Sequence, residues 1–367
     1  MPQYTGRRLS STLDWTLIGA VGLLALIGLL NLRSASLMAD ATAHVTQLVW
    51  FVLGGVVCAL VTAVDYRLFD RMAWLIYGVV CGLLIAVLLF GKDVNGARRW
   101  IEVAGFTLQP SELAKIAVIV AVARYFSRTR RPDGYSIRDL LVPGGIVGLP
   151  VLLIVREPDL GTALIVLFIF LTLLFLERLK SRTWIILLLG LITTVPAMWK
   201  FGIKDYQRDR IETFLEPAKH KFGKGWQARQ SQIAVGSGGL SGKGYLGSTQ
   251  SFGRFLPETR TDFILATFAE EHGFLGCVLL LGLYFFVVLW ATQIGHNARD
   301  RFGAILSVGV ASMLFWHVVI NVGMVIGLLP VVGVTLPLMS RGGSSVLTTL
   351  IGVGLLLSVS MRRHPYQ

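Results

Sequence analysis

Apolar residues in this chain come in long runs rather than in strict alternation. Seven runs stand out, at residues 15–32, 45–64, 72–90, 160–176, 273–294, 304–329 and 344–361. A helix needs about 20 apolar residues to cross a bilayer, with roughly 17 to 25 tolerated, so each run predicts a spanning helix. Three shorter runs, 113–126, 140–155 and 184–199, either borrow a flanking turn or dip in without crossing. Counted as crossings, they bring the total to about ten spans, each near the required length. An even number puts both termini on one side. The run at 15–32 follows Arg7 and Arg8 as in a signal peptide, but no small-residue cleavage site follows it. It reads as a retained first span. The predicted fold is an all-α integral membrane protein, a single polytopic domain over residues 1–367.

One polar stretch interrupts the series, at about residues 201–262, rich in Lys, Arg and Gly. Within it, residues 206–211 and 226–231 predict short amphipathic helices lying on the bilayer, with Ile211, Phe214 and Leu215 forming an apolar stripe at i, i+3 and i+4. The short connections fix the orientation. Arg7 and Arg8, Arg67 and Arg71, Arg128 to Arg138, Arg178 to Arg182, Arg299 and Arg301, and Arg362 and Arg363 fall in alternate connections. Short basic connections stay in the cytoplasm, so both termini are expected there and the large loop outside.

Composition agrees with lipid as the solvent. Charged residues make up 15% and hydrophobic ones 54%, against about 25% charged in soluble domains, and the mean hydropathy is +0.67. The net charge of +13 suits anionic lipid and its headgroups, and no nucleic-acid partner is implied. Cys58, Cys81 and Cys277 lie in apolar runs as packing residues, with no spacing that suggests a metal or a disulfide.

Candidate chemistry clusters at the outer rims. Glu112 and Lys115 sit three apart on one helix face at the start of an apolar run. Ionisable groups at membrane depth face a cavity or each other, so a Glu112–Lys115 pair lining a central cavity is expected. Asp159, in Arg156-Glu157-Pro158-Asp159, either caps the next helix or joins that cavity. Asp262, before Phe263, either caps a helix or acts on a substrate; residues 262–272 would form about 15 Å of helix at the outer interface. Arg98, Arg208 and Arg210 are candidate phosphate ligands, because guanidinium grips phosphate in a bidentate fork. The stretch Gly242-x-Gly244-x-x-Gly247 matches a dinucleotide fingerprint but lacks the flanking strand and helix. A flexible loop whose amides approach a ligand is expected instead, with Lys243 as its cation. The stretch from Leu329 to Ser345, apolar but broken by Pro and Gly, must be buried or line a cavity, and Ser344 joins the candidate binding residues.

These segments together resemble the SEDS family (shape, elongation, division and sporulation) of peptidoglycan polymerases. The resemblance rests on Gln109-Pro110-Ser111-Glu112-Leu113-Ala114-Lys115, Glu157-Pro158-Asp159-Leu160-Gly161-Thr162-Ala163, residues 230–240, residues 256–264 and residues 336–345, in family order. Gly-Ser-Gly-Gly-Leu-x-Gly-Lys-Gly favours the elongation (RodA) branch over the division branch. Arg260 stands where the family usually has His, and Arg341 where it has an aromatic residue. The resemblance implies polymerisation of lipid II, an undecaprenyl-diphosphate disaccharide-pentapeptide, into β-1,4 glycan strands on the outer face of the bacterial cytoplasmic (inner) membrane during elongation and rod-shape maintenance. It implies Asp262 as the essential acid, with Glu112, Lys115 and Asp159 lining the cavity. Its partners would be a class B penicillin-binding transpeptidase and other membrane proteins of the elongation complex. An ordinary Asp, of pKa about 3.9, is ionised at neutral pH and suits a base. Lys115, Arg98, Arg208, Arg210 or a divalent cation would meet the leaving diphosphate. The rival reading is a flippase for the lipid-linked precursor, and a third is a non-catalytic scaffold.

Overall fold

The computed structural model describes residues 13–37, 40, 42–94, 97–103, 106–201, 208, 210, 212–214, 224–249 and 260–363. Among them, ten long helices coincide with the ten apolar runs: α1 (Trp15–Ser36), α2 (Ala43–Ala63), α3 (Tyr66–Phe90), α4 (Pro110–Arg128), α5 (Leu141–Arg156), α6 (Leu160–Leu176), α7 (Ser181–Phe201), α9 (Ile264–His296), α10 (Arg301–Val325) and α11 (Gly343–Met361). An eleventh, α8 (Lys224–Ser237), belongs to the large loop. Seven of the ten are long and apolar enough to cross a membrane. Each of the three shorter runs extends into a helix of 16 to 21 residues. The protein is a multi-pass membrane protein, and its outward leucines, such as Leu60, Leu75, Leu188 and Leu279, are exposed as lipid-facing positions should be.

Burial of α4 explains why its sequence looked weak. From Ala114 to Ala123 it is buried on every side, packed against α3, α5, α6, α10 and α11. A helix inside a membrane bundle can carry charge where its neighbours pair that charge. Glu112 and Lys115 lower its hydropathy without exposing it to lipid. At the opposite end, Arg124 and Arg128 meet Asp70 of α3. Asp14 caps α1 and also accepts from Trp290 Nε1 of α9 and Ser360 Oγ of α11, closing that end of the bundle.

Three features of the outer end depart from the sequence reading. The connection after α3 holds a small antiparallel sheet, β1 (Lys92–Val94), β2 (Ala97–Val103) and β3 (Phe106–Leu108), with Ile101 opposite Leu108. Helix α8 docks on the bundle instead of lying apart from it: Ser231 and Ala234 are buried, and Ser231 Oγ donates to Val325 O at 2.8 Å. The stripe at Ile211 and Leu215 lies outside the described residues.

The third departure concerns the glycine-rich loop. Gly273, at φ 64° and ψ −163°, breaks α9 and strips the carbonyls of Glu270 and Glu271 of their helical donors. Lys243 N and Gly244 N supply those donors at 3.0 and 2.9 Å. In return Phe274 N and Leu275 N donate to Gly239 O and Leu240 O. The loop amides expected to approach a ligand are therefore spent on the break in α9, because a buried carbonyl must be paired. Helix segment 264–272 is packed into this arrangement, with Phe263 through Glu271 all buried.

This interlock leaves no room for a side chain at Gly242, where φ is +79° and a Cβ would lie 2.1 Å from Glu271 O. Gly242→Ala should destabilise the protein by at least about 1–3 kcal/mol from the backbone conformation alone. A thermal unfolding midpoint in detergent that does not fall would contradict the interlock.

Candidate active site

The site grows from the start of α4. Pro110 opens the helix at its first turn, where a missing N–H costs nothing. That places Glu112 and Lys115 one turn in, on one face. Lys115 is 1% exposed and its Nζ lies 2.8 Å from Glu112 Oε2. A second contact completes it: Lys115 Nζ is 2.8 Å from His317 Nε2 of α10. His317 Nδ1 is 3.0 Å from Thr335 O. A carbonyl only accepts and an ammonium only donates, so the imidazole is the neutral Nδ1–H tautomer with Nε2 accepting. Breaking a buried pair of this kind typically costs about 3–5 kcal/mol, so the arrangement is fixed.

One turn further along α10, Asn321 is fully buried and its Nδ2 reaches two carbonyls, Asp262 O at 2.9 Å and Val334 O at 2.7 Å. Residues 326–342 are non-helical, and from Val334 to Ser340 nearly all are buried. The resulting chain of contacts runs from Glu112 through Lys115 and His317 to Thr335, and from Val334 through Asn321 to the backbone of Asp262.

A second branch starts at Thr335, whose Oγ1 is 2.9 Å from Ser345 Oγ. Ser344 Oγ accepts from Gln109 N at 3.0 Å and donates to Thr107 O of β3. Gln109 Nε2 then donates to Asp159 Oδ2 at 2.8 Å, and Ser111 Oγ donates to the same oxygen at 2.9 Å. Asp159 also accepts from Thr162 N, so it caps α6 and joins the polar cluster at once.

Asp262 lies one residue before the first boundary residue of α9. Phe263 holds that position of α9, with no side-chain cap bond. The Asp262 side chain is partly exposed, and its Oδ2 lies 3.4 Å from where a side chain at exposed Gly333 would begin. Beside it, Arg260 and Arg341 both reach Asp40 Oδ2, at 3.5 and 2.8 Å. The Thr42 hydroxyl, reinforced by Arg341, holds the Asp40 carboxyl below its usual range. The two positions that differ from the family pattern thus share one carboxylate.

The other candidates are placed as follows. Arg98 is exposed on β2. Arg208 pairs with Glu212 at 3.0 Å along the large loop, and Arg210 is half-buried in the same stretch. Lys243 donates to Glu270 at 2.6 Å and to Thr249, beside the α9 break. Among the described residues, no group of three His, Cys, Asp or Glu is placed to hold a metal ion. His317 and Asn321 escaped the sequence reading, although two polar residues at i and i+4 inside one apolar run are a signal of an inward polar face.

Glu157 is the remaining outlier. It is 1% exposed in the outer turn, neither carboxyl oxygen has a hydrogen-bond partner, and Arg99 donates only to its backbone carbonyl and that of Pro158. Burial, with the Asp159 charge beside it, pushes the carboxyl up to about 8, against the opposing pull of Arg99. A folded pKa above the unfolded 4.5 means the native state holds the proton. Its contribution to stability is complete below that unfolded value and is lost as pH rises through about 8. Glu157→Gln, neutral throughout, should flatten the decline of the unfolding midpoint over this window. An unchanged slope would mean that Glu157 ionises normally.

Comparison with known proteins shows the family. The cell cycle protein family designated FTSW_RODA_SPOVE matches residues 9–365. The peptidoglycan glycosyltransferase MrdB of Escherichia coli (strain K12) is 39% identical over 311 residues, covering 85% of this chain and 84% of that one. The peptidoglycan glycosyltransferase RodA of Treponema pallidum is 32% identical, covering 96% and 98%. A structure described as coordinating polymerization and crosslinking in a peptidoglycan synthase complex superposes with a TM-score of 0.83 at 33% identity, covering 96% of this chain and 98% of that one. The rod shape determining protein RodA of Thermus thermophilus superposes at 0.72 with 30% identity over all of both chains. The chain belongs to this FtsW, RodA and SpoVE family of polytopic membrane proteins.

Proposed function

We propose that this protein is a peptidoglycan glycosyltransferase that extends β-1,4 glycan strands from lipid II at the outer face of the cytoplasmic membrane. The reading rests on one observation above the others: a partly exposed carboxylate, Asp262, directly precedes α9, and its backbone is tied to a buried polar network. The family, and the activity its relatives carry by name, support the same reading.

The chemistry follows from the substrate. An α-linked donor yielding a β-linked product requires inversion, hence one direct displacement. The acceptor 4-hydroxyl oxygen bonds to the donor anomeric carbon as the bond from that carbon to the diphosphate oxygen breaks. Asp262 takes the hydroxyl proton, and the lipid diphosphate leaves with the electron pair. Lys115 is held between Glu112 and His317, so it acts within the network and not as a mobile cation. Arg98 on β2, with Arg208 and Arg210 of the large loop, adds positive charge at the same end of the bundle for the departing diphosphate. One structural relative comes from a complex that couples polymerization with crosslinking. A class B penicillin-binding transpeptidase is the partner we propose, within the membrane machinery of elongation.

Purified protein given labelled lipid II, with and without such a transpeptidase, should yield glycan chains resolvable on a gel. Asp262→Ala should lose about 10²- to 10⁴-fold in rate, the range for a positioned proton acceptor, while unfolding at a similar temperature. Full-rate polymerisation by that variant would remove Asp262 from the chemistry. Leaflet exchange of lipid II in vesicles without any polymer would favour a flippase.

A further inference from the structure

Carbonyls around Asp262 find their partners outside the first turn of α9. Arg260 O accepts from Arg341 N at 2.7 Å, Thr261 O from Ser340 Oγ at 2.6 Å, and Asp262 O from Asn321 Nδ2 at 2.9 Å. Two residues on, Ile264 O accepts from Asn31 Nδ2 at 3.1 Å. Three consecutive carbonyls thus hang from two elements distant in sequence, the non-helical 334–341 stretch and α10.

The donors are themselves fixed. Ser340 is 2% exposed, and its hydroxyl accepts from Leu336 N at 2.8 Å while donating to Thr261 O. Asn321 is fully buried and spends both amide hydrogens on carbonyls, one on each side of the gap between Asp262 and Val334. Both partners of Asn321 Nδ2 are carbonyl oxygens, so the amide can face only one way. A turn left to itself would pair these carbonyls with water and let the carboxylate sample several positions. Held at three successive peptides, the turn keeps one backbone path, and the Cβ of Asp262 has one place.

We propose that Asn321 and Ser340 are positioning residues for the Asp262 carboxylate, acting through its backbone and the preceding peptide without touching substrate. The inference rests on Asp262 acting as the base. Reaction rates fall steeply when a reacting group is displaced, and about 1 Å costs on the order of 10²-fold. Substrate binding depends on other contacts, so a positioning defect appears in kcat and not in KM.

The test uses the full-length protein with its partner transpeptidase and labelled lipid II, and compares Asn321→Ala, Ser340→Ala and Ser340→Thr with Asp262→Ala. Asn321→Ala and Ser340→Ala should each lower kcat about 10- to 100-fold with KM within about twofold of the unmodified protein. Ser340→Thr keeps the hydroxyl and should recover most of the rate. Should Asn321→Ala not fold, the Ser340→Ala and Ser340→Thr pair decides alone. A kcat within twofold of the unmodified protein, alongside a lower unfolding temperature, would make both residues purely structural and overturn the proposal. So would a raised KM with kcat retained, or a Ser340→Thr variant as slow as Ser340→Ala. An active Asp262→Ala would instead overturn the base assignment, which separates the two failures.

Discussion

A polar backbone group inside a lipid-embedded bundle has no water to turn to, and that requirement organises the outer half of this protein. Between α10 and α11 the chain runs non-helically while most of it is buried. Each turn of helix it forgoes leaves amides and carbonyls to be paired by something else. Side chains from the surrounding helices do it: Asn321 for Val334, His317 for Thr335, Tyr284 for Pro337 and Gln47 for the carbonyl of Ser340. The stretch is therefore rigid for a specific reason, and whatever leans on it inherits that rigidity.

Two things lean on it. One is the Glu112–Lys115 pair, which reaches Thr335 through His317. The other is the turn carrying Asp262, tied to Ser340, Arg341 and, through Asn321, to Val334. A buried ion pair is poor evidence for stability by itself, because desolvation offsets most of the attraction. Its value here lies in specifying one geometry. The same logic applies at the break in α9, where the loop around Gly242 repairs the carbonyls that Gly273 leaves open.

The ten helices could be read from the sequence because lipid imposes length and composition on every span, and α1, α2 and α3 satisfy both plainly. Glu112, Lys115, Asp159 and Ser344 were legible as inward polar residues because charge and hydroxyls near a span must find a partner or a cavity. Pairing was not legible. His317 and Asn321 look like isolated polar residues until α10 is set against the 334–335 backbone, a contact between segments that no periodicity encodes. Lys243 and the glycine-rich loop misled for the opposite reason: their composition suits an anion, but Glu270, beyond the end of the polar stretch, is the partner that folding supplies. The pairing of β1 with β2 was signalled by Asn95-Gly96, a dipeptide that favours tight hairpin turns.

The mechanism depends on Asp262 opening to the extracytoplasmic side. The direct measurement is chemical labelling of Asp262→Cys by a membrane-impermeant thiol reagent, in a background with Cys58, Cys81 and Cys277 replaced by Ser. Reaction when reagent is added outside intact cells, and protection by lipid II, is the result expected. Labelling that requires access from the cytoplasm would contradict the proposed catalytic role.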